Sequence, residues 1–180
     1  MTTNNRNSST IACGNGHSVA LLTNGTVRCW GDDDHYQCYF LYRTFTDVIQ
    51  VACGLYHSVV LLSNGTIKCW GDNGWNQCDP LHSTFTNVIQ VACGLHHAVA
   101  LLSDGTVQCF GDDLFNQCDS VHVAITNAIH VTCGYFYTVA LCSDGTVKCW
   151  GDNHHNQCDP IHGDIRNVMM PYYTTDCMLW

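Results

Sequence analysis

Short runs of apolar and polar positions along this chain repeat every forty residues. His57 to Ser63 is apolar-rich, Asn64-Gly65 interrupts it, and Thr66 to Trp70 returns to strand-forming residues. Asn-Gly or Asp-Gly between strand formers predicts a hairpin, because such pairs supply the positive φ angles of a tight turn. The equivalent pairs are Asn24-Gly25, Asp104-Gly105 and Asp144-Gly145. A two-residue turn places Ser63 opposite Thr66, Leu62 opposite Ile67 and Val60 opposite Cys69. Asn87 to Gly94 (NVIQVACG) reads as a further strand ahead of a hairpin, and the stretch from Gly71 through Asn76-Gln77-Cys78-Asp79-Pro80 as loop.

Val59 and Leu61 fall on one side of the hairpin, Val60 and Leu62 on the other. A small sheet that is apolar on both sides is stable only between neighbours, as in propeller blades or a β-solenoid. The repetition is gapless. Cys13, Cys53, Cys93 and Cys133 begin CG pairs forty residues apart, and Cys29, Cys69, Cys109 and Cys149 follow at the same interval, as do Cys38, Cys78, Cys118 and Cys158. The expected organisation is a polar tail (1–10), four repeats (11–50, 51–90, 91–130, 131–170) and a C-terminal tail (171–180). The fold class is all-β: four tandem blades of about three strands each, in a closed small ring or an open arc.

The repeated residues resemble the regulator of chromosome condensation repeat family, whose blades carry G-x-x-H-S-x-A-L, a D/N-G turn, W-G and a G-Q-L-G box. Gly14, His17, Gly25 and Trp30 match in the first copy, and Gly54, His57, Gly65 and Trp70 in the second. The third keeps Gly94, His97 and Gly105, with Ala98 for Ser and Phe110 for Trp. The fourth keeps Gly134, Gly145 and Trp150, with Tyr137 for His. The resemblance covers Ile11 to about Met170 and implies propeller blades around an axis, in a family whose familiar members close seven. It also implies that the repeated His bonds backbone at a strand start. Asn167-Val168-Met169-Met170 is a candidate to supply a first strand that the opening unit lacks.

Composition narrows the partners. Six Lys and Arg against fifteen Asp leave a formal charge of -9, with no basic footprint for a phosphate backbone. A basic protein surface or a cation is the better electrostatic match. Met1 to Thr10 is polar, without the apolar run of a signal peptide, and no apolar stretch approaches the ~20 residues that span a membrane. The expectation is an intracellular protein, cytoplasmic or nuclear, with no membrane or nucleic acid as direct partner.

Fourteen cysteines admit three readings. The leading one is reduced, small core residues, since free Cys is among the most buried side chains. The second is disulfides, with Cys69–Cys78 the best bridge within a unit and Cys29–Cys38, Cys109–Cys118 and Cys149–Cys158 its copies. Asn7-Ser8-Ser9, Asn24-Gly25-Thr26 and Asn64-Gly65-Thr66 are glycosylation sequons only if the chain is secreted, and the latter two are fully explained as turns. The third is metal: Cys13, His17, Cys29 and Cys38 make a Cys₃His set, but no C-x₂₋₄-C knuckle is present and Tyr137 removes the His from the last copy. Asp32-Asp33-Asp34, Asp72-Asn73, Asp112-Asp113 and Asp152-Asn153 form a solvated acidic rim without a calcium-loop pattern. No metal or cofactor is expected.

No nucleophile elbow, phosphate loop with Lys or H-E-x-x-H is present, and Glu is missing altogether. The reading is a non-enzymatic protein-interaction scaffold gripping its partner on one loop rim. The variable positions there are Asp34, His35, Tyr36, Trp75, Leu114, Phe115, His154 and His155, which either contact the partner or pack over the blade ends. The alternatives are guanine-nucleotide exchange on a small GTPase, which the resemblance suggests, and inhibition of an enzyme by capping its active site. Ultraviolet sensing fails because Trp30, Trp70 and Trp150 are framework positions and no Gly-Trp-Arg-His-Thr motif occurs. A homo-oligomer that completes a propeller is a further expectation.

Overall fold

Apolar side chains on both sides of every hairpin leave each sheet nowhere to go but against its neighbours, and the structure, a computed structural model, shows this stacking. It describes residues 10–39, 45–78, 85–118, 125–159 and 168. Twelve strands run in order: β1 (Ile11–Cys13), β2 (His17–Leu21), β3 (Val27–Gly31), β4 (Val48–Cys53), β5 (His57–Leu62), β6 (Ile67–Gly71), β7 (Val88–Cys93), β8 (His97–Leu102), β9 (Val107–Gly111), β10 (Ala128–Cys133), β11 (Tyr137–Cys142) and β12 (Val147–Gly151). They make four three-stranded antiparallel sheets, ordered β1-β2-β3, β4-β5-β6, β7-β8-β9 and β10-β11-β12. Each sheet packs on the next in the chain, and the four form an open arc rather than a closed ring.

The hairpin register differs by one residue from the two-residue-turn expectation. Leu61 faces Ile67, Val59 faces Cys69 and Ser58 faces Trp70. Gly65 N–H donates to Leu62 C=O at 2.9 Å, and Leu62 N–H donates to Thr66 C=O at 2.8 Å. The loop is therefore Ser63-Asn64-Gly65, a turn followed by a bulge at Gly65, whose φ of 78° is the left-handed value this three-residue loop requires. Asn64 Oδ1 accepts from both the backbone N–H and the hydroxyl of Thr66, at 3.0 and 2.7 Å. The Asn-Gly-Thr triplets at 24 and 64 thus have a full structural account as turns.

Three apolar layers lie between the four sheets. Val19 and Val27 meet Val48, Val51 and Val60. Val59, Leu61 and Ile67 meet Ala98, Ala100, Leu102 and Phe110. Val99, Leu101 and Val107 meet Ala140, Cys142 and Trp150. The alternation of sides read from Val59 to Leu62 is the one observed.

β1 provides the first strand of blade 1, at half the length of β4, β7 and β10. The proposed donor of that strand, Asn167 to Met170, is described only at Val168, which lies in no strand; the rest of it, the tails 1–9 and 171–180, the Asn7-Ser8-Ser9 triplet and Cys177 lie outside the described residues. No helix among the described residues is long and apolar enough to cross a membrane.

Candidate functional site

Each blade has a hairpin tip at one end and, at the other, two loops: the CG-x-x turn before its second strand and the Asp-rich loop after its third. A backbone bond ties the two, Asp72 N–H donating to Tyr56 C=O at 2.8 Å and Asp112 N–H to His96 C=O at 2.9 Å. The CG-x-x turns also bond from blade to blade, Asn15 N–H to Leu55 C=O, Leu55 N–H to Leu95 C=O and Leu95 N–H to Tyr135 C=O. The loops accordingly form one continuous rim.

Cysteine closes each Asp-rich loop. Cys29–Cys38, Cys69–Cys78, Cys109–Cys118 and Cys149–Cys158 are disulfides. This corrects the leading reading of these eight as reduced core residues: the loop returns its second cysteine beside the strand that carries the first, with Cα atoms 4.8–5.2 Å apart. Among the described residues Cys13, Cys53, Cys93, Cys133 and Cys142 remain free. Burial pushes the Cys53 and Cys133 thiols up to about 12, so these are inert. Bridging Cys29 to Cys38 also dissolves the Cys₃His set, and no group of three or more His, Cys, Asp or Glu placed to hold an ion occurs among the described residues.

The rim carboxylates organise the loops that carry them. Asp32, Asp72, Asp112 and Asp152 each accept, through Oδ1, the N–H two residues on, at 3.0–3.1 Å. Asp33, Asn73, Asp113 and Asn153 accept from the N–H of the second bridge cysteine at 2.7–2.8 Å. Gln37, Gln77 and Gln117 are wholly buried, and with Gln157 their Oε1 atoms accept the N–H of His35, Trp75, Phe115 and His155 at 2.8–2.9 Å. The sequence places these glutamines in the G-Q-L-G box but does not show what they hold. Their signal was a polar residue kept at the same loop place in all four copies.

His17 and His97 bond side chains across blades, and His17 also meets the His57 backbone at the start of β5. His17 Nε2 lies 3.0 Å from Ser58 Oγ, and Ser58 Oγ donates to Gln37 C=O at 3.2 Å. The same carbonyl accepts Trp70 Nε1–H at 2.7 Å. His97, Thr138 and Gln117 repeat the relay at 3.2 and 3.1 Å. For His57 the equivalent of Ser58 is Ala98, which has no hydroxyl, and neither ring nitrogen of His57 has a partner. Ala98→Ser is therefore expected to stabilise the fold by about 1 kcal/mol, read as a rise in the unfolding midpoint; an unchanged or lower midpoint would count against the relay.

Gly14, Gly54, Gly94 and Gly134 make room for this packing. A Cβ at Gly54 would overlap the His57 ring and stand 2.7 Å from Gly94 O. Gly25, Gly65, Gly105 and Gly145 sit at hairpin bulges with φ of 78–81°. Phe110 and Trp150 are buried, Trp70 is half-buried, and Trp30 is 55% exposed.

The variable positions differ in their surroundings. His35 stacks on Tyr56 of the next blade at 4.2 Å between ring centroids, Trp75 tilts against His96 at 6.2 Å, and Phe115 lies against Phe136 at 5.1 Å. Residues 35, 75 and 115 thus bridge blades. Asp34, Tyr36, Leu114, His154 and His155 are exposed, with Tyr36 at 65% and Leu114 at 69%. His154 Nδ1 bonds Asp152 Oδ1, which also helps hold that carboxyl below its usual range. Tyr39 and Tyr135 are exposed as well, at 44% and 73%. The rim is an aromatic row set among carboxylates.

Tyr36 has a φ of 60°, where Asn76, Asn116 and Asn156 have 58–61°. Asn accepts this left-handed geometry readily and a bulky residue does not. Replacing Tyr36 by Asn should raise stability by about 0.5–1 kcal/mol, net of its lost edge contact with Tyr39. A denaturant titration that showed a loss would remove the inference of strain.

The family model of the regulator of chromosome condensation (RCC1) repeat matches residues 9–37, 48–77, 88–117 and 128–157. Among solved structures, human WBSCR16 is similar with a TM-score of 0.67 at 24% identity, over 78% of this chain and 46% of that one. Prp20p from Saccharomyces cerevisiae, in a study of its binding to Gsp1p and histones, matches at 0.67 and 22%, over 88% of this chain and 50% of its own. The receptor kinase CR4 ectodomain from Physcomitrella patens matches at 0.65 and 20%, over 81% and 43%. The chain spans about half the length of these structures. No curated protein matches it in sequence.

Proposed function

The chain belongs to the regulator of chromosome condensation repeat family, and from that premise we propose that it is a non-enzymatic interaction scaffold that holds a basic protein segment along its loop rim. The observation that carries this reading is Tyr36, an exposed aromatic ring held at φ 60° where the other three copies use Asn. Strain kept at an exposed position marks a residue retained for something other than folding. Beside it Asp33 and Asp34 offer carboxylates, and further along the rim Trp75 and Leu114 offer exposed apolar area. Arg and Lys side chains find both charge and ring faces in such a row. The net charge of -9 favours the approach of a basic partner.

The test is affinity capture from the native host with the oxidised chain, compared with Tyr36→Asn/Leu114→Ala and with Ser103→Ala at a hairpin tip. The rim pair should lose the captured protein and the tip variant should keep it. Capture that ignores the rim pair rejects the reading. Exchange on a GTPase has weaker support: Prp20p is described together with Gsp1p, but at 22% identity that likeness carries the fold alone. A nucleotide-release assay is expected to show no acceleration.

A further inference from the structure

Every internal junction of the arc joins two different surfaces. Strand pairing puts Val59, Leu61 and Ile67 on the leading side of blade 2, and Ala98, Ala100 and Phe110 on the trailing side of blade 3. Among the described residues, the two ends of the arc carry the same two surfaces without their complements. On the trailing side of blade 1, Trp30 is 55% exposed, while Phe110 and Trp150 at the same place are 6% and 7% exposed. Leu22 and Ile11 are exposed beside it. On the leading side of blade 4, Val139, Leu141 and Val147 are half-buried, where Val99, Leu101 and Val107 are at 4% or less.

The polar parts of the joint are also complementary. Trp70 Nε1 and Ser58 Oγ of blade 2 both donate to Gln37 C=O of blade 1. Trp30 and Ser18 hold those donor places on blade 1, and Gln157 holds the acceptor place on blade 4.

We propose that the trailing face of blade 1 seats on the leading face of blade 4 of a second copy of this chain, reproducing across two molecules the apolar joint made three times within one and the donor pair of the junction between blades 1 and 2. The occupant is a second copy because, among the described residues, no other surface carries both the apolar pattern and the donor–acceptor placement. The contact is head-to-tail, so each copy offers one face of each kind.

The full-length oxidised chain at near-physiological salt is examined by sedimentation over a concentration series. The wild type should show a mass at least twice that of one chain. Trp30→Asp and Leu141→Asp should each reduce the largest species, and an equimolar mixture should form a heterodimer through the one intact pair of faces. Leu22→Asp and Val139→Asp stand in should either variant fail to give a wild-type circular dichroism spectrum. A wild type that stays a single chain at tens of micromolar overturns the proposal and leaves those faces to the chain's own ends or to another protein; so does assembly unaffected by these changes. Tyr36→Asn/Leu114→Ala should leave self-association intact, which separates this result from the rim reading.

Discussion

Reduction of the four bridges should bring the protein close to unfolding at 37 °C. Each bridge joins cysteines nine residues apart. Closing a loop of that length removes denatured-chain entropy equivalent to about 2–3 kcal/mol. Four together reach about 10 kcal/mol, comparable to the whole stability of an ordinary domain. Thermal melts with and without reductant should therefore differ by tens of degrees, with Cys149→Ser/Cys158→Ser intermediate. Reduced and oxidised melts that coincide would show that the bridges do not form. Reduction also releases the rim: Gln37 and Gln77 keep their loop amides only while the loop stays folded over its strand.

Mild acid should be about half as damaging. Burial, followed by the neighbouring His97 and His96, lowers His57 to about 3, and burial against the opposing pull of Asp112 lowers His97 to about 4. Both folded values lie below the ordinary 6.5, so the unfolded chain takes up the protons and stability is lost as pH falls from about 6.5 towards 4 and 3. The slope is about 1.4 kcal/mol per pH unit for each histidine. From pH 7 to 4.5 the pair should therefore remove about 5 kcal/mol. Burial lowers His17 as well, against Asp32. Asp104, Asp144 and Asp152 are held low by hydrogen bonds, chiefly from Thr106, Thr146 and His154, and so enter only below 3.8. Denaturation midpoints from pH 7 to 4.5 test this. The profile should flatten in His57→Gln/His97→Gln, and a flat wild-type profile would refute it.

The forty-residue period and the two-sided apolar hairpins were legible because they are local patterns repeated four times. The register was not, since Asn64-Gly65 suits both a two-residue turn and the last two places of a three-residue loop ending in a bulge. Only the Leu62–Thr66 and Gly65–Leu62 bonds distinguish them. Cys69–Cys78 was named as the best bridge yet ranked behind buried thiols, because sequence does not show a loop folding back on its strand. The His17–Ser58 contact spans one period plus one residue. That offset was readable in principle, since Ser58, Ala98 and Thr138 change in step with whether the preceding blade's histidine finds a partner. Tyr36 was singled out as variable, but its strain appears only in its backbone angle.

The bulge glycines also tie neighbouring units at the hairpin end. Gly25 C=O accepts Val48 N–H at 3.0 Å, Gly65 accepts Val88 at 3.1 Å, and Gly105 accepts Ala128 at 3.0 Å. Every unit thus meets the next through an equivalent clasp, whichever copy it is. Removing or duplicating one full forty-residue module would leave each clasp with a matching partner. The length of the binding edge can therefore change in whole increments without redesigning any contact.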